Sequence, residues 1–173
     1  MLYQLSDVLT IEGKRESVSV SLELESLDTV MGHYPLLEKP SFQMDFANIE
    51  KGKAKASGNV KLIFGATCDR CLTDTKVELD LVIDRVLTID GEDGEEGSED
   101  LYFLNGTVLD IETFMYNEII VNWPVKILCK DDCKGVCPVC GQNLNEKECG
   151  CDTFVPDPRM AVIKDIFRAD KEV

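Results

Sequence analysis

Ser17-Val18-Ser19-Val20-Ser21-Leu22-Glu23-Leu24 places an apolar side chain at every second position and a polar one between, the period of a strand with one buried face. Similar strands are expected at Ser41 to Asn48, Lys53 to Gly65 and Thr75 to Ile89. Glu50-Lys51-Gly52 and the segment around Cys68 to Cys71 act as reversals between them. Sequential strands joined by short turns predict an antiparallel β-meander. Gln4 to Leu9 reads as one short helical turn, and Leu27 to Lys39, with Gly32 and Pro35, as a connection.

After these strands the pattern changes to helix. Asp110 can cap a helix that buries Ile111, Phe114, Met115 and Ile119, with Ile120 beside them, and Pro124 bounds its end. This helix should cover the sheet, and Trp123 should anchor in the core. Asp157 and Pro158 fit the cap and first turn of a last helix carrying Val162, Ile163, Ile166 and Phe167 on one side. The fold class expected is α+β: an antiparallel meander packed with one or two helices, plus a C-terminal Cys-rich, zinc-ribbon-like module. The domain reading is residues 1–125 as a strand-rich core with an acidic loop at 90–100, and 126–173 as the Cys-rich module and final helix, packed as one unit with the core.

Composition bounds the function. The 173 residues carry 33 acidic and 18 basic groups, a net charge of -15. Seven of the carboxylates lie in the run Asp90 to Asp100, where mutual repulsion and three glycines favour a mobile surface loop. No apolar run approaches the ~20 residues that span a bilayer, and Met1 to Asp7 lacks the basic flank and apolar stretch of a secretory signal. The cytosol is therefore the expected compartment. His33 is the single histidine, and no GxSxG, HExxH, Walker or GxGxxG pattern occurs, so ordinary enzyme chemistry has little support.

Eight cysteines remain to be explained. A reducing compartment does not favour structural disulfides, which points to metal. In Cys137-Pro138-Val139-Cys140-Gly141 two thiols three residues apart on a tight turn aim at one point, and Gly141 permits the positive-φ passage that follows. Cys149-Gly150-Cys151 supplies a second pair, completing a four-thiolate set within residues 137 to 151. By subtraction, Cys68 and Cys71 pair with Cys129 and Cys133, although Cys129 and Cys133 could instead share a metal with Cys137 and Cys140. The compact partition is preferred because its shorter loop closes more cheaply. Zinc is favoured over iron-sulfur chemistry, disulfides and a thiol-disulfide oxidoreductase using a CxxC motif. The last would need a helix starting at the first Cys, and Gly141 to Asn145 shows no helical period. A site filled by four sulfurs is structural, not catalytic.

Cys68-Asp69-Arg70-Cys71-Leu72, then Cys133-Lys134-Gly135-Val136-Cys137-Pro138-Val139-Cys140-Gly141-Gln142-Asn143-Leu144-Asn145, then Cys149-Gly150-Cys151 and Asp157-Pro158-Arg159 together resemble the YceD-like family, named for large ribosomal RNA subunit accumulation. Val136 stands where the family string has Leu. The resemblance implies a bacterial, non-enzymatic role in producing or stabilising 23S ribosomal RNA, with a basic large-subunit ribosomal protein or a ribosomal RNA precursor as partner, and neither a membrane nor a small-molecule substrate. Electrostatics separates those partners. RNA affinity usually comes from phosphate neutralisation, and two zinc ions with eight thiolates would take the charge from -15 to about -19. Lys126, Lys130, Lys134 and Arg70 form at most a small basic patch that screens thiolate charge, so an acidic docking partner for a basic protein fits better.

Overall fold

A computed structural model describes residues 1–88 and 103–151. In chain order these residues form β1 (Leu2–Gln4), α1 (Ser6–Thr10), β2 (Arg15–Val20), β3 (Ser26–Thr29), β4 (Gly32–Glu38), β5 (Phe42–Glu50), β6 (Lys53–Thr67), β7 (Asp74–Thr88), β8 (Leu104–Asn105), β9 (Val108–Asp110) and α2 (Ile111–Val121). The acidic run at 90–100 and the helix expected from Asp157 lie outside the described residues. Contacts divide the chain into one unit of Met1–Thr67 with Asp74–Ile127 and another of Cys68–Thr73 with Leu128–Val173, the latter described as far as Cys151.

The first unit is dominated by β6 and β7, which pair antiparallel from Lys53↔Thr88 to Thr67↔Asp74. They alternate because one face is buried, Ala54, Ala56, Val60, Leu62 and Phe64 from β6 meeting Val77, Leu79, Leu81, Ile83 and Leu87 from β7, with the exposed Arg85 as the break in the inward row. Gly58 belongs to the inward set, and a Cβ there would come within 2.9 Å of the Gln43 carbonyl oxygen, so only glycine lets β5 approach this closely.

All strand pairings are antiparallel, but the order is not a simple meander. β5, β6 and β7 are consecutive neighbours. β2 pairs with β5, however, and β4 pairs with β6, placing an earlier strand against a later one. The segment expected as a connection, Leu27 to Lys39, is in fact the β3–β4 hairpin, with Ser26 opposite Pro35 and Thr29 opposite Gly32. Pro35 is tolerated there because the adjacent residue makes the ladder bond, Leu36 N–H donating to the Glu25 carbonyl at 2.8 Å. β2 ends at Val20, short of Leu24, although Leu22 stays buried and Glu23 exposed. The Glu23 N–H leaves the strand pattern and donates to the Glu112 carboxylate of α2 at 2.8 Å.

A second sheet, ordered β1-β9-β8, was invisible to pattern reading because its strands are only two or three residues long. α2 starts where expected. The Asp110 side chain accepts from Glu112 N–H at 3.2 Å, and Ile111, Phe114, Met115 and Ile119 are buried. Ile120 lies on the exposed side. Glu118 is the surprise: it is 7% exposed, and its carboxylate is met at 2.7 Å by Arg85 of β7. A buried carboxylate needs such a partner. Trp123 packs on the rings of Tyr34 and Phe64, with centroids 4.7 and 5.0 Å away, as a core anchor should. Among the described residues no helix is long and apolar enough to cross a membrane.

Candidate metal centres

The first centre begins on a six-residue loop. Cys68 to Thr73 links the last paired residues of β6 and β7, Thr67 and Asp74. Within it Cys68 N–H donates to the Thr73 carbonyl at 2.9 Å and Leu72 N–H to the Cys68 carbonyl at 2.9 Å. Closing both bonds drives Leu72 into the left-handed region, φ 60°. Cys129 and Cys133 complete the set, and Cys133 N–H donates to Lys130 O at 3.1 Å to fold the short turn between them. Cys68 Sγ lies 3.8 Å from Cys133 Sγ, and Cys71 Sγ lies 3.5 Å from Cys129 Sγ.

The second centre repeats the loop. Cys137 N–H donates to the Gln142 carbonyl and Gly141 N–H to the Cys137 carbonyl, both at 2.8 Å, with Gly141 at φ 74°. An antiparallel bridge between Val136 and Asn143 closes the loop, and Val139 N–H points at Cys137 Sγ from 3.4 Å. Cys149 and Cys151 bring the other two sulfurs. In each set of four, Cys68, Cys71, Cys129 and Cys133 or Cys137, Cys140, Cys149 and Cys151, the sulfurs all lie within 4.8 Å of one another and could hold a metal ion.

The spacing discriminates between chemistries. A tetrahedral site with metal–sulfur bonds of ~2.3 Å has sulfur–sulfur edges of about 3.8 Å, whereas a disulfide needs ~2.05 Å. The sulfur–sulfur distances of 3.5 and 3.8 Å are close to the tetrahedral edge, and all eight cysteines are free. No helix begins at Cys68 or Cys137, so the thioredoxin-like device for activating a thiol is missing from both turns.

Electrostatics within the sets favours a cation. Burial pushes the Cys68 thiol up, but N–H groups of Cys71, Cys129 and Arg70 outweigh it and bring the thiol down to about 6. The N–H groups of Cys140 and Val139 bring Cys137 down to about 6. Neighbouring sulfur then opposes further ionisation: Cys71 holds Cys129 up at about 12, and Cys140 holds Cys151 up at about 12. Thr73 also lowers the Cys71 thiol, so the first turn favours two thiolates and the second favours one, at Cys137. A fully ionised quartet needs a positive ion at its centre.

The two sets share a backbone spine, residues 133–137, that carries one ligand for each. Every residue of the spine is fastened. Lys134 N–H donates to Asn145 Oδ1 at 2.9 Å, Leu144 N–H to the Gly135 carbonyl at 2.9 Å, and Val136 N–H to the Arg70 carbonyl at 3.1 Å. Arg70 returns a bond from Nη1 to the Cys133 carbonyl at 3.0 Å. Gly135, at φ 76°, lies so close that a Cβ would meet the Arg70 carbonyl oxygen at 3.1 Å. From sequence, Arg70, Lys126, Lys130 and Lys134 are expected to screen thiolate charge. Arg70 instead braces the spine, while Lys130 pairs with Asp132 at 3.7 Å and Lys134 with Glu148 at 3.5 Å. Asn143 and Asn145 were missed as site residues, although Asn is prone to bond nearby backbone in turns.

The family model for the large ribosomal RNA subunit accumulation protein YceD matches residues 56–167, a stretch that contains all eight cysteines. The chain belongs to the YceD family. It is also similar to the Arabidopsis thaliana protein named large ribosomal RNA subunit accumulation protein YCED homolog 1, chloroplastic, with 28% identity in an alignment of 131 residues that covers 59% of this chain. The chain spans 40% of that relative's length. No solved structure matches.

Proposed function

We propose that this YceD family member is a non-enzymatic factor in large ribosomal subunit biogenesis that supports accumulation or processing of 23S ribosomal RNA. The observation that carries the reading is the family match across residues 56–167, together with the name of the plant relative. The eight cysteines bind two structural zinc ions, and residues 128–151 with the 68–73 loop form a zinc-ribbon-like module whose order comes from ligation more than from apolar burial. Four thiolates leave no open position on the metal, which suits a scaffold.

The proposed contact is a basic large-subunit ribosomal protein, in the cytoplasm. A net charge of -15 repels phosphate and attracts a cationic client, so opposite fields speed encounter while shielding the client from nonspecific RNA. Three measurements test the reading. Depletion should lower mature 23S RNA or raise its precursors, and unchanged levels of both would reject the biogenesis role. Affinity capture should recover a basic ribosomal protein in a nuclease-resistant way; capture lost on nuclease treatment would replace the protein contact with an RNA contact. Replacing Glu92, Asp93, Glu95, Glu96, Glu99 and Asp100 by Gln or Ser should slow association with the client and flatten its salt dependence.

A further inference from the structure

Asn145 reaches a sulfur of the first cysteine set from the loop between two ligands of the second, and the direction of its side chain is fixed. Its Oδ1 accepts from the Lys134 N–H, which can only donate, so Nδ2 must face the other way. There Nδ2 lies 3.3 Å from Cys133 Sγ and 3.0 Å from Asn143 Oδ1. The Asn143 amide is oriented in turn, because its Oδ1 also accepts from the Asn145 N–H at 3.0 Å. Cys133 belongs to the first set and is 4% exposed. Asn145 itself lies between Cys140 and Cys149, two cysteines of the second set. The loop that the second set closes therefore delivers a hydrogen bond to a sulfur of the first.

We propose that Asn145 is a positioning residue that couples the two centres: metal in the second orders the 141–148 loop, and the Asn145 amide then donates to the Cys133 thiolate and strengthens the first centre's hold on its own metal. The inference rests on the metal reading given above. The physical basis is charge. An N–H donor on a metal-bound thiolate disperses negative charge that four sulfurs crowd together, and such outer partners typically change metal affinity by about 10- to 100-fold. Because coupling between binding events is reciprocal, loss of the first metal should also loosen the second.

Asn145→Asp keeps an acceptor for Lys134 N–H and removes the donor to Cys133. It also brings a negative charge beside that thiolate, so Asn145→Ala, which adds no charge, must show the faster release as well. The full chain would be loaded with zinc, counted for metal, and mixed with an excess of chromophoric chelator. Wild type should hold two zinc ions and lose them in two phases, and Cys140→Ser, which removes the second centre, identifies the phase that belongs to the first. In Asn145→Asp both zinc ions should bind, with release from the first centre about tenfold faster. Cys140→Ser should release its remaining zinc at that same raised rate, and adding Asn145→Asp to it should change nothing more. Cadmium NMR gives a readout independent of the Cys140 variant: of two lines from the cadmium-loaded chain, only the first centre's should move in Asn145→Asp. Asn145→Asp with wild-type release and an unmoved line would overturn the coupling, as would Asn145→Ala accelerating release while Asn145→Asp does not, which would make Asn145 a loop anchor. A wild-type chain that binds fewer than two metal ions would instead overturn the metal reading itself.

Discussion

The loops at 68–73 and 137–142 are the same turn made from different residues. Both carry C-x-x-C, both span six residues between an antiparallel pair, and in both the first Cys bonds the residue five positions on and is bonded by the residue four positions on. They differ at the residue after the second Cys, where each backbone is left-handed: Gly141 at φ 74° and Leu72 at φ 60°. They differ again in reach. Cys137 and Cys140 find their partners within 15 residues of chain, whereas Cys68 and Cys71 must wait for Cys129 and Cys133, across 57 intervening residues. A hydrogen-bond pattern can thus specify a ligand turn while leaving residue choice and loop length free, and energetic consequences should follow those two freedoms.

The largest expected difference lies in reach. An unfolded chain can still gather Cys137, Cys140, Cys149 and Cys151 around zinc, but gathering the first set is entropically harder, so metal on the first set favours the folded state more. Cys71→Ser should therefore destabilise its zinc-loaded chain by about 2 kcal/mol more than Cys140→Ser, from the loop-length ratio. Denaturant unfolding in excess zinc checks this, and equal losses would break the comparison.

Gly135→Ala comes next, because it strains the backbone at φ 76° and presses a methyl onto the Arg70 carbonyl. A loss of roughly 1–3 kcal/mol in the zinc-loaded protein is expected, together with faster metal release from both centres, since the spine serves both. Release from only one centre would separate what the spine is said to join.

The swap at the left-handed positions is smaller. Gly141→Leu places its Cβ where nothing lies within 4 Å, so its main cost is the left-handed backbone, about 1–2 kcal/mol. Leu72→Gly relieves a similar strain but raises unfolded-chain entropy, leaving a gain below about 1 kcal/mol. Opposite signs in thermal melts would sharpen the equivalence, and equal signs would break it. Last, zinc addition to the metal-free chain at neutral pH should release protons, because Cys129 and Cys151 are held up at about 12 and must ionise to bind. Protons compete for the same sulfurs, so acidification should release metal. Calorimetry in buffers of different ionisation enthalpy counts those protons, and a count of zero would exclude thiol ligation.

How much was legible follows from length and chemistry. β5, β6 and β7 were read within two residues of their ends because nine to fifteen residues of alternation leave little choice of period. α2 was read from Asp110 because a cap acts locally. The β3–β4 hairpin was missed because Gly32 and Pro35 look like breakers, and only the neighbouring Leu36 bond shows why Pro35 is harmless. Glu118 defied the polar–apolar code because its partner, Arg85, is distant in sequence. Among the cysteines, spacing announced the turns and cheaper loop closure favoured the grouping that the sulfurs take, Cys137 and Cys140 with Cys149 and Cys151, and Cys68 and Cys71 with Cys129 and Cys133. Asn145 resembled any loop asparagine until its two bonding directions were resolved.

β1 has a consequence for synthesis on the ribosome. Leu2, Tyr3 and Gln4 pair with Asp110, Leu109 and Val108, so the strand has no partner until more than a hundred further residues have been made. At ~5–20 residues per second that is a delay of roughly 5 to 20 s, during which Tyr3 can find Phe46 but the strand's own N–H and C=O groups are still unmet. The β5–β6–β7 hairpins close from local contacts and can form inside that interval. During its own birth the protein therefore keeps a short adhesive strand open until the segment leading into α2 emerges to cover it.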